Sequence, residues 1–330
     1  MSNLAASPDC FSKDYATRRA CREACTLETC PLKLSYWAYQ PSQPANGLFA
    51  ALFGLSLLAS VLQGLFARRW IGFTVAMCSG SVLELLGYIG RYLSYDDPFN
   101  ETWFLLQIIT LTIAPAFYAA GIYFCLRRIV TTFGASNSVI PPAWYPRIFI
   151  PCDVFSLLLQ AAGGGLASSA THSGKNPTAG NNIMIAGLSF QVATLAVFIA
   201  LASLFGARTW KRVRAMGEAA LDPAHRALRE SVRFQGFLTA LAFATLCVFT
   251  RSVYRVAELS EGWTGHLIET QRYFIGLEGA VLVVGILGLN VFHPGWCFRE
   301  DVVAGAEGTR SVSESEKSAT VDGEALKHGA

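Results

Sequence analysis

Seven stretches with few charged positions divide this chain: residues 47–67, 71–90, 103–126, 147–169, 183–206, 234–257 and 273–292. Apolar residues cover every face of a 3.6-residue helix in the most uniform run, AVLVVGILGL at 280–289. A membrane-crossing strand would instead alternate apolar and polar positions. A helix of about twenty residues rises about 30 Å, which matches the hydrocarbon thickness of a bilayer. Backbone groups in lipid must bond within their own segment, so helices are the structure this pattern allows. The pattern predicts an all-α polytopic membrane protein, a bundle of seven transmembrane helices.

Composition strengthens that expectation. Of 330 residues, 52% are hydrophobic and 15% charged, against about a quarter charged in a soluble domain, and mean hydropathy is +0.38. Soluble enzymes, nucleic-acid binders and disulfide-rich secreted modules are poor readings of such a chain. The net charge of +3 matters less than where the charges fall. Twelve Lys and Arg residues, from Arg68 to Arg233, occupy the first, third and fifth connections, and three, Arg91, Lys175 and Arg272, the others. The positive-inside rule then places the odd connections in the cytoplasm, with the N-terminus outside and the C-terminus cytoplasmic.

Three regions follow: an extracellular N-terminal tail over 1–46, the helical domain over 47–295, and a disordered cytoplasmic tail over 296–330, rich in Ser, Gly and Glu. No apolar core of a cleavable signal peptide precedes the first span, which is expected to start translocation itself. Cys10, Cys21, Cys25 and Cys30 share the exported tail, where two disulfides could form in any of three pairings. Cys78, Cys125, Cys152 and Cys247 read as small apolar side chains. Cys297 stands where palmitoylation could occur, although an unmodified thiol is the favoured reading. Asn100-Glu101-Thr102 is a glycosylation sequon on the outer side.

Ionised side chains inside a span cost about 2.5–3.5 kcal/mol at the bilayer centre and normally face a partner in the bundle. Glu84 lies mid-span in the second helix, with Gly87 and Arg91 on the same face. Asp153 and Gln160 share one stripe of the fourth. Arg251, Arg255 and Glu258 fall at i, i+4 and i+7 in the sixth, and Glu278 is inside the seventh. Gln63, Gln107 and Gln191 add uncharged groups to the first, third and fifth. Interhelical polar contacts worth about 0.6–2 kcal/mol each suffice to explain the glutamines. Three buried acids and two arginines exceed that need and point to a functional polar cavity, with Arg255 and Glu258 alternatively reaching the outer surface. Pro115 removes one ladder hydrogen bond from the third helix. The run Gly163, Gly164, Gly165 suits either close helix packing or an opening beside Asp153 and Gln160. No Walker A sequence, no metal-ligand spacing of histidines and no nucleophile–base pattern occurs, so no catalytic residue, metal or cofactor is expected.

Segments 39–63, 84–91, 107–129, 153–165, 186–191, 251–258 and 293–295 carry the motifs ELLGYIGR, DVFSLLLQAAGGG, RSVYRVAE and HPG among others. In order and register they resemble the fungal RTA-like family, also called lipid-translocating exporters, across residues 36–295. The resemblance implies a seven-helix fungal protein, of the plasma membrane or an internal one, linked to sphingoid-base export, lipid asymmetry and resistance to toxic amphipathic compounds. It carries over Gln63, Glu84, Arg91, Gln107, Asp153, Gln160, Gln191, Arg251, Arg255 and Glu258 as substrate-binding candidates, which Glu278 joins by its place inside the seventh span. Ser60 and Gln271 depart from the family, where His and an acid are common. The expected mechanism has Glu84, Asp153 and Glu278 receive an ammonium headgroup in a cavity while the tail stays in lipid. Arg251 or Arg255 would then neutralise an empty acid or bind a phosphate. The alternative is a seven-helix lipid receptor or sensor signalling through the loop 207–233, although the Asp-Arg-Tyr and Asn-Pro-x-x-Tyr signatures of common receptors are missing.

Overall fold

The computed structural model of the chain describes residues 15–217, 221, 223–262 and 265–298. Among the described residues seven helices, the first to seventh spans, are long and apolar enough to cross a membrane: Gln43–Phe66, Ile71–Leu93, Glu101–Phe133, Trp144–His172, Thr178–Met216, Val232–Ser260 and Gln271–Cys297. No strand occurs among the described residues. The protein is an integral membrane protein, and leucines of the first span such as Leu48, Leu58 and Leu65 face outward into lipid.

Local chemistry sets the helix ends. Asn100 Oδ1 accepts the backbone N–H of Thr102 at 2.9 Å and so starts the third span. Gly134, with φ of +104°, ends it well beyond Leu126. At 33 and 39 residues the third and fifth spans are about 50 and 58 Å long and overrun the hydrocarbon. Arg127, Arg128, Arg208, Lys211, Arg212 and Arg214 therefore ride on helix ends and not in loops. Hydropathy falls at the membrane edge, but the hydrogen-bond ladder continues until a breaker stops it. In the seventh span the breaker is Pro294, which holds His293 extended at φ −65° and ψ 133°.

Each span packs on its sequence neighbours, and the first closes against the seventh. The third span sits at the centre, touching the second, fourth, fifth and sixth. The fourth and fifth spans meet backbone to backbone. A Cβ at Gly163 would lie 2.4 Å from the Met184 nitrogen, and one at Gly180 would lie 2.3 Å from the Ala167 nitrogen. Tyr123, Phe149 and Phe198 meet in tilted and edge-to-face contacts where the third, fourth and fifth spans converge, with centroids 4.6–5.4 Å apart.

Cys25 and Cys30 form a disulfide, Cys21 is disulfide-bonded as well, and Cys10 lies outside the described residues. Cys297 is free and buried, so protein already covers the thiol that palmitoylation would need. Most of the carboxy-terminal tail expected to be disordered, 299–330, lies outside the described residues.

Candidate functional site: an ionic core and an unpaired acid

The sixth span carries Arg251, Arg255 and Glu258 on one face, as helical spacing requires, and turns that face into the bundle. Arg251 is fully buried. It donates from Nη1 to Glu84 Oε1 of the second span at 2.6 Å and from Nη2 to Glu278 Oε1 of the seventh at 3.0 Å. Its third acceptor is the Leu111 carbonyl oxygen, 2.8 Å from Nη2. In a regular helix that oxygen would bond the N–H of residue 115. Residue 115 is proline, which has none, so the proline that interrupts the third span frees the carbonyl that Arg251 takes. Arg255 donates from Nη1 to Glu258 Oε2 at 2.5 Å, and its Nε lies 3.4 Å from Glu278 Oε1. Both arginines thus reach one oxygen of Glu278, which projects from a π-helical stretch, Phe274–Ala280. Arg255 and Glu258 are only 4% and 5% exposed. They do not reach the outer surface, because each finds its counter-charge within the bundle.

A second layer extends this core toward the Arg-poor end. Arg91 donates from Nη1 to Gln107 Oε1 at 3.2 Å, and Trp37 Nε1 donates to the same oxygen at 2.9 Å. Arg91 also bonds the Tyr39 hydroxyl and stacks 3.7 Å from the Phe274 ring centroid. With Arg91 included, three arginines balance Glu84, Glu258 and Glu278. Trp37 and Tyr39 precede the first span in a segment whose packing no hydropathy pattern announces. They are site residues that sequence reasoning missed.

Asp153, Gln160 and Gln191 belong to a different place. Gln160 Nε2 donates to Gln191 Oε1 at 3.0 Å, tying the fourth span to the fifth. Asp153 is 4% exposed. The Tyr123 hydroxyl is close enough to act on it, yet neither carboxylate oxygen makes a well-aligned hydrogen bond. No arginine or lysine pairs with it among the described ion pairs. The expectation that Glu84, Asp153 and Glu278 surround one headgroup cavity is therefore corrected. Two of the three share Arg251, with Arg255 also on Glu278, and the third lies on the fourth span outside that network.

Above Asp153 a groove of about 570 Å³ opens between the third and fourth spans toward the membrane. Ile108, Ile113, Leu157 and Ala161 give it apolar walls, Gln160 lines it, and Arg22 and Glu101 stand at its Arg-poor end. Gly164 and Gly165 line it with nothing within 4 Å of a Cβ, whereas Gly163 is locked against the fifth span. The glycine run thus serves both readings, one residue for packing and two for the opening. Ile108, Ile109, Thr112 and Ile113 of the third span face the groove, while Leu111 is buried on its other side, where its carbonyl meets Arg251. One helix separates the groove from the ionic core.

Gln63 lies elsewhere again. Its Nε2 donates to the Asn290 carbonyl oxygen at 2.7 Å, while the Asn290 side chain bonds Ser60 and Ser56 at 3.0 and 2.6 Å. These contacts join the first and seventh spans. Asn290 was legible as a polar residue ending an apolar run, and Ser60 occupies its contact with a hydroxyl. Among the described residues no group of His, Cys, Asp and Glu is placed to hold a metal ion.

A family profile described as RTA1 like protein matches residues 77–301, which hold the whole ionic core and Asp153. The chain belongs to the RTA1-like family. Within it the chain is 35% identical over 286 residues to the sphingoid long-chain base transporter RSB1 of Saccharomyces cerevisiae, covering 80% of this chain and 74% of that protein. It is 29% identical over 215 residues to protoporphyrin uptake protein 1 of the same species, covering 64% and 66%. It is 31% identical over 222 residues to protein RTM1, covering 64% and 67%. No solved structure matches this RTA1-like chain.

Proposed function

We propose that this protein carries a sphingoid long-chain base, or an amphiphile of the same cationic kind, between membrane leaflets, with Asp153 as the ammonium acceptor. One observation carries the reading: Asp153 is a buried acid with no cation partner among the described residues, one helical turn below Leu157 and two below Gln160, which line a membrane-facing groove. The relationship to a sphingoid-base transporter supports the substrate class. A volume of about 570 Å³ is in the usual range for pockets that hold small molecules.

The alkyl tail lies in the groove against Ile108, Ile113 and Leu157, where it exchanges lipid for equally apolar protein. The ammonium group moves past Gln160 and Gln191 to Asp153, so that it is never left unsolvated in hydrocarbon. Glu84, Arg91, Gln107, Arg251, Arg255, Glu258 and Glu278 form the frame that keeps the third span in place behind the groove, and Gln63 fastens the first span to the seventh. A transporter acting at the plasma membrane would lower the cellular load of toxic amphiphiles, which is how resistance would arise.

The test is transbilayer movement of a labelled long-chain base in vesicles holding the purified protein. Wild type should accelerate it, and Asp153→Asn should slow it by about tenfold to a hundredfold, the worth of one charge-assisted contact. Equal movement in both would remove Asp153 from the mechanism. Movement no faster than in protein-free vesicles would favour the sensor reading.

A further inference from the structure

A second groove, of about 800 Å³, lies at the opposite, Arg-rich end between the third, fifth and sixth spans. It has no part in the path proposed above. Its trough is apolar along Leu126, Ile129, Phe205, Leu238 and Leu241. Its mouth is cationic. Arg226 and Arg229, both in the short helix Arg226–Glu230, line it, and Arg208, Lys211, Arg212 and Arg214 are exposed along the neighbouring end of the fifth span. Among the described residues of the lining Glu230 is the acid, and it forms an exposed pair with Arg226 at 2.9 Å. Such exposed pairs are weak and readily exchanged for another anion. Arg229 donates to the Thr132 carbonyl oxygen at 3.1 Å, which holds it at the rim. Thr209 adds to the same wall a buried hydroxyl with no hydrogen-bond partner. Trp210, exposed beside the mouth with the Arg214 guanidinium 4.3 Å from its ring centroid, has the character of a membrane-interface aromatic.

We infer that this groove is a binding site for an anionic phospholipid, its acyl chain in the trough and its phosphate against Arg226 and Arg229. Charge selects the occupant. A sphingoid base carries the same sign as the mouth and is repelled, whereas a phosphate gains two guanidinium partners. Location agrees with charge. The positive-inside rule puts this end in the cytoplasmic leaflet, where anionic lipids are concentrated and each nearby basic residue favours them. Gly206 shows that the trough has room, since a Cβ there would meet nothing within 4 Å.

The test uses the full chain in mixed micelles containing equal phosphatidylserine and phosphatidylcholine, with retained lipid quantified by mass spectrometry after delipidating washes. Wild type should retain phosphatidylserine selectively, and Arg226→Gln should lower its ratio to phosphatidylcholine about fivefold, the effect of one basic residue at a membrane surface. Gly206→Leu should abolish retention without lowering the thermal unfolding temperature, because its Cβ meets open space in the trough and leucine is a better helix former than glycine. Equal retention of the two lipids by wild type would overturn the site, as would retention indifferent to both substitutions. So would a groove that takes lipid only after residues 299–330 are removed, which would assign it to the chain's own acidic tail. The measurement needs no transport, so its failure is distinct from failure of the flux assay.

Discussion

Glu84 and Asp153 are both acids buried in mid-span, and the bundle treats them in opposite ways. Glu84 meets Arg251 at 2.6 Å inside a network that draws on the second, third, sixth and seventh spans. Asp153 makes no ion pair among the described residues; the Tyr123 hydroxyl acts on it and a groove opens above it. On the function proposed above, density of buried charge does not by itself locate the binding site in this membrane protein. Charges that satisfy one another make architecture, and an acid left over is available to a ligand.

The comparison breaks most sharply at Arg251. Replacing it with Met would leave Glu84 and Glu278 buried without their shared cation. Removing one partner of a buried pair typically costs about 3–5 kcal/mol, so Arg251→Met should sharply lower the thermal unfolding temperature in detergent. Asp153→Asn, by contrast, should leave that temperature unchanged or raise it, because no partner is orphaned. If both substitutions destabilise alike, Asp153 is as structural as Glu84 and the distinction fails.

The glycine run sharpens the same contrast over adjacent residues. Gly163→Ala would drive a methyl into the Met184 backbone and should cost about 1–3 kcal/mol, whereas Gly164→Ala and Gly165→Ala meet open space. Equal stability for all three, read from thermal unfolding, would contradict the backbone-to-backbone contact of the fourth and fifth spans.

The smallest expected effect is at Pro115. A proline inside a helix normally costs about 3 kcal/mol relative to alanine. Pro115→Ala would supply the missing N–H to the Leu111 carbonyl and displace Arg251 from it, forfeiting a charged hydrogen bond worth about 1.5–3 kcal/mol. The two effects oppose, so stability should change by less than about 1.5 kcal/mol. A full 3 kcal/mol gain would show that the freed carbonyl is not a significant partner of Arg251.

Much of this protein follows from the order of its residues. The number of spans, the helical state of each and the presence of Arg251, Arg255 and Glu258 on one inward face are consequences of hydropathy and a 3.6-residue period, which are local properties of the chain. That Glu84 and Glu278 would need partners was equally legible, since a charge in hydrocarbon cannot stand alone. Which partner each acid obtains was not legible. Glu84 and Arg251 are 167 residues apart, and their meeting depends on how the second and sixth spans pack around the third. Asp153 looked the same as Glu84 in the sequence because periodicity gives the face a side chain occupies and says nothing of what stands opposite. The tertiary structure decided that one acid is neutralised and the other is not, that Pro115 hands a carbonyl to an arginine, and that Trp37 and Tyr39 complete a network begun deep in the membrane. Each outcome rests on distances of a few ångströms between segments far apart in the chain, and those distances exist only once the helices are packed.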